Sequence, residues 1–163
     1  MYLGLDLSLT STGLVVMDAS CEVHLSLVIG TKKGSDDWID DAFNRSLHIA
    51  KEIVRNAPSD CSCIIIESPS LGSKGSATRT LPLLLGVVLD RLKIAFPNIQ
   101  PIMVPPMTLK KFATGNGKAD KDLMVEAIEP TYKEYLLSVP KSKGRYDLAD
   151  AYHLSKYGVC SKC

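Results

Sequence analysis

Four carboxylates stand out by where they fall in the chain. Asp6 interrupts the apolar run from Tyr2 to Leu7, and Glu67 closes the β-branched run from Cys63 to Ile66. A carboxylate in either place is costly unless something pairs with it. Taken singly, each also reads as a strand-end acid capped by backbone N–H groups or by a lysine. Asp147 and Asp150 lie three residues apart in DLADAYHL, which puts both on one face of a helix. That pair equally suits a helix N-terminus, whose dipole favours acids. Together the four would supply hard oxygen ligands for divalent cations, and Mg²⁺ suits such a set because it takes a few carboxylates and keeps its waters. Two ions roughly 4 Å apart can hold an attacking water and a departing sugar oxygen in line on one phosphodiester. The spacing points to metal-dependent phosphoryl chemistry and to nothing narrower.

The elements that must position these acids follow from periodicity. Leu3, Leu5 and Leu7 alternate with small or polar residues, SLTSTG turns the chain, and Leu14 to Met17 returns, a hairpin of two strands. Val23 to Ile29 alternates as a third, antiparallel strand with one wetter face. Between Asp36 and Asn56 the apolar residues recur at helical spacing, with acids at the start and Arg55 near the end. Cys63 to Ile66 is a short buried strand, SPSLGSKGSATRT a loop, Ala77 to Phe96 a helix and Ile99 to Val104 another strand ended by Pro105 and Pro106. Helices are expected at Met107–Thr114, Ala119–Glu129 and Tyr146–Tyr157, broken by GNG and PKSKG. The expected fold is α/β, a mixed central sheet of three antiparallel meander strands followed by parallel strands, flanked by helices.

Composition sets the outer bounds. At 163 residues, with 45% hydrophobic and 23% charged residues, the chain fits one domain spanning 1–163, since domains average about 150 residues. The longest apolar stretch, Leu81 to Leu89, is interrupted by Pro82 and Gly86 and is too short to cross a bilayer. The start, MYLGLDLSLT, lacks the basic segment of a signal peptide, so a cytoplasmic protein is expected. Five cysteines are an odd number and point to reduced thiols. Cys160 and Cys163 form one C-x-x-C without a matching half-site, which argues for a thiol-bearing tail over structural zinc.

Four blocks, in order, resemble the RuvC Holliday-junction resolvases, especially those of bacteriophages. They are LGLDLSLTSTG (Leu3 to Gly13), the strand ending IIIE at Glu67, LKKFATGNGKADK (Leu109 to Lys121) and DLADAYHL (Asp147 to Leu154). The first block by itself also fits sugar kinases and actin-like ATPases; the four together span nearly the whole chain. The resemblance implies a ribonuclease H-like fold, and it implies that Asp6, Glu67, Asp147 and Asp150 bind the metal, two Mg²⁺ per site with Mn²⁺ as a substitute. Lys110 and Lys121 match the family's basic positions beside the active site, where a lysine steadies the extra charge of the scissile phosphate. Lys111 and Lys118 read as solvated helix residues or plain phosphate contacts. Gly115 and Gly117 either approach an anion through their N–H groups or simply break the helix. His153 follows Asp150 by three residues and is an auxiliary candidate, although a lone histidine there is more often structural.

The implied activity is a homodimeric, Mg²⁺-dependent endonuclease of bacterial or phage-infected cytoplasm that cuts four-way and other branched DNA, leaving 5′-phosphate and 3′-hydroxyl ends. Three rivals remain: a ribonuclease H-like nuclease on RNA/DNA hybrids, an actin- or sugar-kinase-like ATP-binding domain, and an inactive junction-binding module. One departure concerns the loop after Glu67, where cellular members often present a stacking aromatic. No Phe, Tyr or Trp occurs between Asn44 and Ala95, and the loop offers Leu71 as a wedge with Lys74 and Arg79 as phosphate contacts. On the following helix Leu84, Val87, Val88 and Arg91 lie on offset faces, read either as core or as one face of a two-fold interface.

The net charge of +1 conceals an asymmetry that bears on a nucleic-acid partner. Residues 1–70 carry 5 basic and 10 acidic residues, and residues 71–163 carry 14 and 8. Binding is therefore expected on one face, from a pool of Lys74, Arg79, Lys110, Lys111, Lys118, Lys121, Lys141, Lys143 and Arg145, and to weaken steeply with salt.

Overall fold

The computed structural model describes residues 1–69 and 77–161; Leu71, Lys74 and Cys163 lie outside them. Five strands form one sheet: β1 (Tyr2–Asp6), β2 (Ser11–Met17), β3 (Val23–Gly30), β4 (Cys63–Glu67) and β5 (Ile102–Val104). Their order is β3-β2-β1-β4-β5, antiparallel from β3 to β1 and parallel from β1 to β5. This is the expected meander followed by parallel strands. The return strand starts earlier than expected, at Ser11, because Thr12 closes the reversal: its buried hydroxyl donates to the Ser8 carbonyl at 2.7 Å and accepts the Ser8 N–H at 3.1 Å.

Alternation along the strands sorts two cores. Leu3, Leu5, Leu14, Val16, Ile64 and Ile66 pack beneath α1 (Trp38–Asn56) and α2 (Ala77–Ala95). The other face belongs to α3 (Pro106–Thr114), α4 (Lys121–Glu126), α5 (Pro130–Ser138) and α6 (Arg145–Ser161), which cover Val15, Met17, Cys63 and Ile65. Leu84 and Val88 of α2 are fully buried in the core shared with α1, whereas Val87 is half-buried and Arg91 exposed. The stretch expected as one helix from Ala119 to Glu129 is shorter, and α5 follows it unanticipated. Pro130 occupies the first turn of α5, where its missing N–H removes no helical bond.

Cys21, Cys61 and Cys160 are free thiols, whereas Cys63 is disulfide-bonded. The expectation of reduced thiols is corrected at that position. Among the described residues, no helix is long and apolar enough to cross a membrane.

Candidate active site

Parity places the first two acids. Asp6 follows Gly4 by two on β1, and Glu67 follows Ile65 by two on β4, so both project toward the face covered by α6. β1 and β4 are parallel neighbours, with Leu5 paired to Ile66, so both acids stand at carboxyl ends of adjacent strands. β1 is also where the sheet changes from antiparallel to parallel, and open α/β sheets form their functional crevice beyond such strand ends. Asp6, Leu7, Glu67, Ser68, Leu81 and Leu85 border a cleft of about 170 Å³.

The other two acids arrive on α6, which crosses the sheet at unusually short range. A Cβ at Gly4 would lie 2.2 Å from the Ala151 carbonyl oxygen, and one at Gly13 2.2 Å from that of Asp147. Side chains there would lift the helix off the sheet. Asp6 pairs with Gly13 across the β1–β2 ladder, so the closest approach of α6 brings Asp147 beside Asp6. The Ser11 hydroxyl donates to Asp147 Oδ2 and fixes that carboxylate. The sequence reading missed Ser11; its signal was a place two residues before Gly13 in the first block.

The electrostatics show that the four acids share one environment. Burial, and then the charges of Asp150, Glu67 and Asp147, push the Asp6 carboxyl well above its usual range, while Lys121 pulls it down. Glu67 is pushed up to about 7 by burial and then by Asp150, against Lys110 and Lys121. Burial raises Asp150 to about 6, opposed by Lys121 and Lys110 and assisted by Asp147. A set of half-buried carboxyls that resist ionising together calls for cationic partners, as a divalent-ion site does. No three of the four bring an oxygen each within 4.8 Å of one another. The trio of described residues that meets the distance, Asp18, Glu22 and His24, is a surface turn in which Asp18 already accepts from Ser20, from the Glu22 N–H and at His24.

The lysines reach the site from α3 and α4. Leu109 buries the inner face of α3 against Ile65 and Leu154, which turns Lys110 toward the acids. The GNG segment is a helix stop: Gly115, at φ 77°, closes α3 by donating to the Lys111 carbonyl, a conformation that favours glycine. Gly117 shows no positive φ. Asp120 then caps α4 by accepting from the Leu123 N–H at 2.8 Å, which presents Lys121 as the first helical residue. The Lys121 ammonium lies 5.3 Å from the centroid of the Tyr146 ring, whose hydroxyl donates to Asp122.

The remaining candidates divide. Arg79, Lys111, Lys118 and Lys143 are exposed. Arg145 donates to the carbonyls of Val139 and Leu137 and thereby ties α6 to the end of α5. His153 is 1% exposed and points away from the acids, its Nε2 2.8 Å from the Met124 carbonyl oxygen. Burial holds its pKa down, so the neutral ring donates from Nε2 and pins α4 in place. It is a positioning residue.

Neither a protein-family model nor a curated protein sequence matches this chain. Solved structures do. The fold is similar to that of Thermus thermophilus RuvC, with TM-score 0.61 and 16% identity over 98% of this chain and 94% of that one. It is likewise similar to T. thermophilus RuvC in complex with a Holliday junction substrate, with TM-score 0.60 and 19% identity over 94% of this chain and 88% of that one. The expected ribonuclease H-like fold is thus borne out: this chain carries the mixed five-stranded sheet and flanking helices of the RuvC architecture.

Proposed function

We propose that this protein is a Mg²⁺-dependent endonuclease that cuts branched DNA, four-way junctions foremost, and that it works as a homodimer of the phage RuvC type. The observation that carries this reading is the convergence of Asp6, Glu67, Asp147 and Asp150, from two strand ends and a crossing helix, on one electrostatic environment that Lys110 and Lys121 also reach. The likeness of the fold to a protein solved with a Holliday junction supports the substrate class.

Asp6, Glu67, Asp147 and Asp150 would hold the ions, with Asp6 central because it is coupled to all three others. When bound, Mg²⁺ supplies charge neutralisation at the scissile phosphate and a lowered pKa for water. The protein's own groups do the rest. Ser11 holds the Asp147 carboxylate in orientation, and Lys110 and Lys121 offset the charge that grows on the phosphate. The hydrophobic walls at Leu7, Leu81 and Leu85 limit water around the reacting atoms. Two copies would present two such sites to two strands, so paired nicks would yield ends with 5′-phosphate and 3′-hydroxyl groups.

The test is cleavage of a four-way junction, a fork, a linear duplex and an RNA/DNA hybrid under the same Mg²⁺, with Mn²⁺ as an alternative ion. Asp6→Asn should abolish cutting while junction binding persists and remains steeply salt-dependent. Full cleavage by that variant, or preference for the hybrid, would overturn the reading.

A further inference from the structure

The chain has one tryptophan, Trp38, and it lies at the edge of a groove that continues the acidic cleft. Its 48% exposure would by itself mean little, since single exposed apolar residues are common. Its place is informative. The groove, about 530 Å³, is lined by Leu7, Leu9, Lys33, Trp38, Thr80 and Leu81 among others. Leu7 and Leu81 also line the cleft that holds Asp6 and Glu67. A chain laid across the acids therefore has beside it a groove in which Leu7, Leu9 and Leu81 form an apolar floor and the ion-paired Asp41 and Arg45 a polar side.

The start of α1, which carries the indole, is held in place from several sides. Asp37 caps α1 by accepting from the N–H groups of Ile39 and Asp40, each at 2.9 Å, which sets Trp38 as the first residue of the helix. About two turns further, Arg45 binds Asp41 at 3.0 Å, the Thr31 hydroxyl at 2.7 Å and the Leu9 carbonyl at 3.0 Å. These bonds tie the start of α1 to the reversal that follows Asp6. The Arg79 guanidinium lies 5.2 Å from the centroid of the indole ring, a cation–π contact that puts a positive charge beside an aromatic surface.

We propose that Trp38 is a stacking platform for an unpaired nucleobase of the DNA substrate, with Arg79 beside it to meet the flanking phosphate. This rests on the nuclease reading above. An aromatic face next to cations is the combination that holds single-stranded nucleic acid, where stacking is tolerant of sequence. Bases inside a duplex are already stacked on their neighbours. Only a base splayed at a branch point offers a free face, so the platform would make the enzyme selective for structure and not for sequence. An apolar peptide would use the floor but not the cations, and a second copy of this chain would cover the groove before DNA arrives.

Because Trp38 is the sole tryptophan, the protein's own fluorescence reads the contact. Wild-type protein is titrated, with EDTA and again with Ca²⁺, with a four-way junction, a fork carrying an unpaired arm and a blunt duplex, and binding is followed in parallel by anisotropy of labelled DNA. Quenching by junction and fork, but not by duplex, is expected. Trp38→Ala should weaken junction binding about tenfold and leave duplex binding unchanged, while Trp38→Phe should stay within about threefold of wild type. Junction binding with unchanged fluorescence and unchanged affinity in Trp38→Ala would overturn the platform and leave the nuclease reading standing. Equal quenching by duplex, or a fluorescence change with protein concentration alone, would overturn it in favour of a general DNA contact or a second copy. Failure to bind or cut any branched DNA would overturn both readings.

Discussion

Gly13 lies directly beneath the backbone of Asp147: a Cβ on the glycine would sit 2.2 Å from the aspartate's carbonyl oxygen. No side chain fits that gap, because the obstacle is backbone and cannot rotate away. Gly13→Ala should therefore displace the start of α6 and separate Asp147 from Asp6. The expected outcome is loss of cleavage by at least a hundredfold, together with a lower Tm, because overpacking a close contact costs about 1–3 kcal/mol. Wild-type cleavage by Gly13→Ala would mean that α6 need not lie this close.

The raised carboxyls make stability depend on pH in a defined direction. Glu67 at about 7 and Asp150 at about 6 stand above their ordinary values of 4.5 and 3.8. Between about pH 4 and 7 the folded chain thus holds more protons at these groups than the unfolded chain. Their stabilising contribution is complete at low pH and is lost as pH rises through 6 and 7. In metal-free buffer Glu67→Gln should melt higher than wild type at pH 8, on the order of 3 °C, with the difference vanishing near pH 5. Mg²⁺ should raise the wild-type Tm more at pH 8 than at pH 5.5, because it binds the ionised forms. Melting curves that stay parallel from pH 5 to 8 would contradict the shared environment of these acids.

Tyr146 stands between two lysines beside Asp122. Lys121 and Lys141 each lie 5.3 Å from its ring centroid, and its hydroxyl joins Lys141 on the Asp122 carboxylate. Tyr146→Leu removes the ring and should lower kcat about two- to fivefold, the worth of an exposed cation–π contact, with KM little changed. Tyr146→Phe keeps the ring and should recover most of that loss. Equal loss in both variants would shift the role from the ring to the hydroxyl.

His153 should matter for stability rather than for cutting. His153→Phe would leave the buried Met124 carbonyl without its donor, at about 1–3 kcal/mol, and should loosen α4. Activity measured well below the lowered Tm should remain within a fewfold of wild type. Abolished cleavage with an unchanged Tm would instead place the imidazole in the chemistry.

Much of the scaffold was readable residue by residue. The alternation of Leu3 and Leu5, and of Ile64 and Ile66, located the buried strands, because one face of each had to meet a helix layer. The acids at strand ends and the three-residue spacing of Asp147 and Asp150 singled out four carboxylates that the fold brings near enough to feel one another's charge. Local pattern was less informative where one residue controls an element boundary. Thr12 carried β2 into a segment that looked like turn, and Pro130 opened a helix beyond Glu129 that periodicity did not anticipate.

What the sequence by itself determined, then, is the order of the strands and of the two long helices that follow β3 and β4, since these follow from burial and spacing along the chain. Only the tertiary structure decided that Gly4 and Gly13 seat α6, that Ser11 holds Asp147, that His153 faces α4, and that Trp38 lines a groove sharing Leu7 and Leu81 with the cleft. These relations join residues as far apart as Ser11 and Asp147, separated by 136 positions. No periodicity in a local window carries such information, because contact across a sheet depends on how whole elements stack and not on what neighbours a residue has in the chain.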